Sequence, residues 1–141
     1  MATPEKCGPD MFKPIVGRGS AYADIDGDGD LDVVLTQVNG APLLLRNDQK
    51  LGHHWLRLKL VGTKCNRDAI GGWVKVRVGN RTLSRQVMPT RSYLSQSEMT
   101  VTIGLGDAQR PDTVTVVWPG DAEEKVDGVH VDALTTVVQA R

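Results

Sequence analysis

Apolar and polar side chains alternate along much of the chain, in short runs separated by glycine, asparagine, aspartate or proline. A two-residue period places successive side chains on opposite faces of an extended backbone, so it predicts antiparallel β-structure. No segment has a convincing helical period. The predicted strands cover residues 20–23, 32–36, 42–46, 55–61, 73–78, 82–87, 99–103, 113–118 and 135–139.

Two of these strands are predicted to pair directly as a hairpin. Gly79 and Asn80 lie between them and tolerate the positive φ angles that a two-residue primed turn requires. In residues 55–61, leucines alternate with Arg57 and Lys59, and in residues 73–78, valines alternate with Lys75 and Arg77. The alternation predicts a sheet with one apolar face and one basic face.

The 141 residues suffice for one ordinary domain, or one domain with a small appendage. No apolar run approaches the roughly 18 residues that a membrane-spanning helix needs, and residues 1–8 lack the apolar core of a signal peptide. The polar residues 47–53 have the composition of a linker. Cys7 and Cys65 are compatible either with one disulfide or with two free thiols.

Charge is distributed unevenly, although 17 basic and 17 acidic residues balance formally. Between residues 57 and 91 nine bases face a single acid. Five of the acids occupy alternate positions within nine residues, at Asp24, Asp26, Asp28, Asp30 and Asp32. Carboxylates this close repel one another strongly unless a cation neutralises them, so the pattern favours a metal site over a solvated acidic turn.

The aspartate loop, residues 24–32, has the composition of a calcium-binding loop. Calcium takes six to eight oxygen ligands, and carboxylates alternating with small residues can wrap around one ion, with a glycine making the sharp bend. By analogy with such loops, Asp30 is predicted to bind through its backbone carbonyl, and the other four aspartates through their side chains. The loop is not a complete EF-hand, because Leu35 stands where the bidentate glutamate would be and the residues that follow favour a strand.

Other residues allow alternative functions. Arg57, Lys59, Lys75 and Arg77, with tryptophans in the same register, could bind a polyanion or a carbohydrate on the basic face. Nucleic acid is not expected, because no recognised binding motif is present.

The sequence 66–68, Asn-Arg-Asp, could be an active-site loop, but a structural turn is the simpler interpretation. No nucleophile elbow is found, which leaves hydrolysis by the aspartate-loop carboxylates as the weaker alternative to a non-enzymatic protein.

Two parts of the chain resemble known families. Residues 16–32, Val-Gly-Arg-Gly-Ser-Ala-Tyr-Ala followed by the aspartate loop, resemble an FG-GAP (VCBS-type) repeat, the calcium-loop blade of β-propellers of the integrin α type. From Trp55 onward the chain resembles an ASPIC/UnbV domain, as found in cartilage acidic protein. The motifs are His54-Trp55-Leu56, Asn66-Arg67-Asp68-Ala69-Ile70-Gly71, Tyr93-Leu94-Ser95-Gln96, Gly104-Leu105-Gly106 and Trp118-Pro119-Gly120.

The resemblance implies calcium binding and an interaction role outside the cytoplasm, with an unknown protein or glycan partner. The expected organisation is an N-terminal extension (1–14), an FG-GAP/VCBS-like repeat (15–47) and an ASPIC/UnbV-like domain (54–141). The expected fold is all-β, a calcium-loop hairpin of propeller-blade type followed by an antiparallel β-sandwich or open barrel. Because an apolar hairpin is marginal alone, we expect it to be covered by the second domain, by further blades or by a homodimer partner.

Overall fold

The computed structural model describes residues 3–120 and 122–140, and it is all-β, as predicted. Helical structure in these residues is limited to a one-turn α-helix, Pro4–Cys7, and a 3-10 helix, Pro9–Phe12. The strands are β1 (Gly17–Ala23), β2 (Asp32–Gln37), β3 (Leu43–Leu45), β4 (His54–Val61), β5 (Trp73–Val78), β6 (Arg81–Gln86), β7 (Val101–Gly106), β8 (Thr113–Val117), β9 (Glu123–Val126) and β10 (Leu134–Val138).

The first of two compact units contains residues 1–49 and, from much later in the chain, residues 90–97. Its sheet has the order β1-β2-β3, and both pairs are antiparallel. Ala23 pairs with Asp32, so the aspartate loop is the connection between β1 and β2. The hairpin predicted around the aspartate loop is therefore part of a three-stranded sheet.

Residues 90–97, here called the edge segment, lie along the free side of β1. The backbone N–H of Ser20 donates to Ser92 Oγ at 3.1 Å, and the N–H of Tyr22 donates to Ser97 Oγ at 3.2 Å. Side-chain hydroxyls thus satisfy strand donors that would otherwise be available to another chain. The sequence prediction placed this segment in the 54–141 domain, whereas its contacts group it with the first unit.

The second unit, residues 50–89 and 98–141, is a β-sandwich of two sheets. One sheet has the order β10-β4-β7 and the other has the order β6-β5-β8-β9. Their inner faces share one core, whose most buried members include Leu56, Leu58, Val74, Val76, Val116 and Trp118. The hairpin predicted at Gly79-Asn80 is confirmed, because β5 pairs with β6. Val78 is opposite Arg81, and Gly79 takes a φ of 56° in the turn between them.

Two strands of the second unit differ from the prediction. β10 pairs with β4 in parallel, with Leu134 opposite Arg57, whereas an antiparallel domain was expected. β9 was not predicted, because the sequence Glu-Glu-Lys-Val has neither alternation nor β-branched enrichment until its last residue. Among the residues that the structure describes, β9 pairs only with β8, so it is an edge strand, and charged side chains suit such a position.

Candidate metal centre

The aspartate loop is shaped by its own carboxylates. Asp24 Oδ1 accepts a hydrogen bond from the N–H of Gly27 at 2.6 Å, and its Oδ2 accepts one from Gly29 at 3.0 Å. Both glycines have positive φ, 81° and 93°, which residues with a side chain rarely adopt. The alternation of aspartate and glycine therefore lets the backbone fold back on Asp24.

Three carboxylates converge in this loop. One oxygen from each of Asp24, Asp26 and Asp28 lies within 4.8 Å of the others. Calcium–oxygen distances are about 2.3–2.6 Å, so two ligands on opposite sides of one ion are about 4.6–5.2 Å apart. The carboxylates therefore fit around one calcium ion, which would supply positive charge at the centre of the cluster. Asp26 and Asp28 are exposed, so an ion can reach them from solvent.

Asp30 and Asp32 point elsewhere. Asp30 Oδ1 accepts a hydrogen bond from Gln49 Nε2 at 2.9 Å, and Asp30 is not part of the converging group. Asp32 is only 1% exposed. Its two oxygens accept hydrogen bonds from the N–H groups of Ile25, at 2.9 Å, and Asn47, at 2.8 Å. Asp32 thus closes the loop and ties it to the chain after β3.

Residues beside the loop were missed by the sequence prediction. Arg46 lies 3.7 Å from Asp26 Oδ2 and 2.6 Å from Asp48 Oδ1. The hydrogen-bonded carboxylate of Asp48 raises the pKa of Arg46, and Asp26 and Asp32 add to this more weakly. A guanidinium therefore neutralises part of the acidic cluster. Residues 47–49 were interpreted as linker from their polar composition, but they belong to the first unit.

The four basic residues predicted to share one face do not do so. β4 and β5 belong to different sheets, and the apolar sides of these sheets pack on one core, so Arg57 and Lys59 face away from Lys75 and Arg77. Arg57 is moreover only 8% exposed and forms an ion pair with Glu98. The period-two pattern identified the polar side of each strand correctly, but it carries no information on which strands share a sheet.

The loop that follows β4 has a structural role for Asn66. Its Oδ1 accepts a hydrogen bond from the N–H of Ile70 at 2.7 Å, and its Nδ2 donates to the carbonyl of Ile70 at 3.0 Å. Arg67 and Asp68 form an exposed ion pair at 2.9 Å, and the Arg67 guanidinium lowers the pKa of Asp68. This geometry agrees with the interpretation of the loop as a turn.

The histidines and cysteines offer no shared metal site. His53 Nε2 lies 3.6 Å from Asp107, whereas His54 Nδ1 lies 2.6 Å from Asp132, so adjacent rings have different carboxylate partners. Cys7 is exposed and Cys65 is half-buried, and both thiols are free. Within the described residues, the acidic cluster of the aspartate loop is the one group of three or more potential metal-ligating side chains that converge.

Comparison with known proteins assigns the second half of the chain to a family. No curated protein matches the sequence. None of the helices in residues 3–120 and 122–140 is long and apolar enough to cross a membrane. The family model described as ASPIC and UnbV matches residues 62–141, which is more than half of the 141 residues and includes β5 to β10. It does not extend to the aspartate loop. The chain therefore belongs to the ASPIC and UnbV family.

Proposed function

We propose that the aspartate loop binds calcium, and that the chain is a non-enzymatic structural or interaction module of an extracellular propeller-type protein. The observation that carries the proposal is the convergence of three carboxylates within 4.8 Å. Asp24, Asp26 and Asp28 would hold the ion through side-chain oxygens, and Asp30 through its backbone carbonyl. Asp32 would keep the loop closed around it.

The surroundings of the loop support calcium rather than a smaller ion. Magnesium demands a near-octahedral shell at about 2.0–2.1 Å and gives up its water reluctantly, whereas calcium accepts flexible, multi-oxygen sites. The three ligands lie on a single exposed connection between two strands, which can adjust to the larger ion. Extracellular calcium modules typically have dissociation constants of about 10⁻⁴–10⁻³ M, so a partly exposed site is sufficient there.

The sheet that carries the loop supports the proposed context. Domains of the ASPIC and UnbV family are typically part of extracellular propeller-type proteins. The aspartate loop connects the first two strands of the β1-β2-β3 sheet, which agrees with the resemblance of residues 16–32 to an FG-GAP/VCBS repeat, so we propose that residues 15–47 are such a repeat. The chain would then link a propeller blade to the β-sandwich.

Thermal unfolding in calcium, magnesium and chelator tests the proposal. Calcium binds only the native loop, so a concentration of one hundred times Kd should add about 2.7 kcal/mol to the free energy of unfolding. Calcium should raise the Tm, and magnesium at the same concentration should raise it much less. Asp26→Asn and Asp28→Asn should each remove most of the calcium effect, because each removes one charged ligand.

Asp107→Asn is the matched control for charge. Its side chain is 98% exposed and lies in the second unit, after β7, so the substitution removes one carboxylate without touching the loop. The calcium shift should survive in this variant. Superimposable melting curves of the unaltered protein in calcium and in chelator, together with no heat of calcium binding by calorimetry, would rule out the proposed site.

A further inference from the structure

The outer face of the four-stranded sheet β6-β5-β8-β9 has a regular arrangement of exposed polar side chains around one tryptophan. β5 and β6 are in antiparallel register, so Trp73 lies beside Gln86, Lys75 beside Ser84, and Arg77 beside Thr82. Strands are about 4.8 Å apart and alternate residues of one strand are about 6.7 Å apart, so Trp73, Lys75 and Arg77 form a row about 13 Å long. This length accommodates a short oligosaccharide.

Trp73 is unusually exposed for its position. It lies on β5, which has a strand on either side, yet 41% of its surface is accessible. By contrast, Trp118 is 2% exposed and donates its indole N–H to Glu124 at 2.8 Å. The neighbour Gln86 donates its amide to the carbonyl of Gly71 at 3.1 Å, which holds it beside the indole. A large flat aromatic ring is thus presented to solvent on a rigid sheet.

The net positive charge of this face favours an anionic ligand. On this face β5 carries Lys75 and Arg77, and β9 carries Lys125, which is in register with Thr115 beside Lys75. The one acidic residue of the four strands on the same face is Glu123. Asp112, which precedes β8, accepts a hydrogen bond from the N–H of Gly79 at 2.6 Å. On the β9 edge, Glu123 forms an ion pair with Lys75 at 2.9 Å. The two side chains are 44% and 59% exposed, so the pair is weak and an incoming anion can replace the carboxylate.

We propose that this face binds an acidic polysaccharide, with a sugar ring stacked on Trp73 and its carboxylate or sulfate groups paired with Lys75 and Arg77. The C–H groups of a pyranose ring carry partial positive charge and pack on the negative face of an indole. The basic side chains provide charge-assisted hydrogen bonds to the acidic groups, and the serine, threonine and glutamine of β6 can bond the sugar hydroxyls. This site is separate from the aspartate loop and needs no calcium.

Affinity electrophoresis of the full chain in gels containing polygalacturonate, heparin or neutral dextran tests this proposal, with chelator present throughout. We expect retardation in polygalacturonate, heparin or both, and none in dextran. The first two gels distinguish carboxylate from sulfate recognition. Running in chelator makes the outcome independent of the calcium proposal, so that either can fail without the other.

Three variants report on the separate parts of the site. Trp73→Ala should weaken binding roughly tenfold, because one aromatic stacking contact is lost. The double variant Lys75→Gln, Arg77→Gln should weaken it and reduce its dependence on salt. Glu123→Gln should strengthen it severalfold, because Lys75 loses its competing carboxylate. A merely non-specific attraction would respond to the charge changes but not to Trp73→Ala.

Controls of the same chemistry lie elsewhere on the second unit. Lys64→Gln removes an exposed positive charge, and Leu134→Ala removes an apolar side chain that is 53% exposed on the other sheet. Neither should change retardation beyond the small effect of net charge. Absence of retardation in both acidic gels would overturn the proposal. The proposal would also be overturned if Trp73→Ala and Leu134→Ala weakened binding equally. The same holds if the double variant and Lys64→Gln weakened binding equally for each charge removed.

Discussion

Replacing Gly19 by alanine should displace the edge segment from β1. A Cβ atom at this position would lie 2.2 Å from Ser95 Oγ and 2.7 Å from the carbonyl oxygen of Tyr93. Ordinary contacts begin at 3.4 Å, so the hydroxyl must move by 1.2 Å (3.4 − 2.2) and the backbone oxygen by 0.7 Å (3.4 − 2.7). The hydroxyl can rotate away from its 2.8 Å bond to the Tyr93 carbonyl, but the carbonyl moves only if the segment moves.

The loss in free energy of unfolding follows from the hydrogen bonds that hold the edge segment on β1. Moving it loosens the bonds from the N–H groups of Ser20 and Tyr22 to the two serine hydroxyls, each with a net value of about 1 kcal/mol. Overpacking adds about 1–3 kcal/mol, and the reduced entropy of the unfolded chain returns about 0.4–1 kcal/mol. Gly19→Ala should therefore lower the free energy of unfolding by roughly 2–5 kcal/mol.

Hydrogen exchange measured by mass spectrometry, alongside urea unfolding, provides the assay. Protection should fall in peptides that cover residues 20–22 and 90–97. Gly17→Ala is the matched control on the same strand, because its Cβ would meet only Ile15, at 3.5 Å. If the two variants unfold at the same urea concentration and exchange at the same rate, the edge segment does not pack on Gly19.

Three further predictions concern charged groups. The hydrogen bond from His54 is the main reason that the pKa of the Asp132 carboxyl is lowered. Its contribution to the free energy of unfolding is therefore present above the ordinary aspartate pKa and is lost as the pH falls through the lower pKa of the folded state. Asp132→Asn should make the free energy of unfolding in urea less dependent on acid pH, by less than about 1 kcal/mol because the side chain is 44% exposed. Arg46→Gln should raise calcium affinity severalfold in calorimetry, because it removes the cation that competes at the aspartate loop; unchanged affinity would contradict that role. Arg57→Met should lower the free energy of unfolding in urea by about 1.5–3 kcal/mol, because its charge-assisted hydrogen bond to the mostly buried Glu98 is lost. Adding Glu98→Leu should restore part of that loss.

The sequence predicted most strands because their patterns are local. Leucines and valines at alternate positions of β4 and β5 identified the core faces, and Gly79-Asn80 identified the turn. The convergence of Asp24, Asp26 and Asp28 was predictable for the same reason, because all the partners lie within five residues. Such features depend on the residue period and on turn chemistry, which a single sequence contains.

The errors concern relations between distant segments. The sequence does not reveal that β4 and β5 belong to different sheets, that β10 returns beside β4, or that residues 90–97 join the first unit. Arg46 and Gln49 were missed because their approach to the aspartate loop depends on how β3 pairs with β2. The edge segment does contain a local signal, since hydroxyl residues at 92, 95 and 97 can replace strand partners, but such residues are equally common in turns.

The parallel pairing of β10 with β4 determines when the sandwich can be completed during synthesis. Leu134 and its partner Arg57 are separated by 77 residues (134 − 57), so the ribosome must add all of these residues after Arg57 before this pair can form. Until then the side of β4 that receives β10 carries unpaired backbone groups next to an apolar surface. Pairing of such distant segments is also slow, because loop closure precedes any favourable contact. A nascent or truncated chain that stops before β10 would therefore expose an aggregation-prone strand edge, and a chaperone that shields β4 would be of most use in that interval.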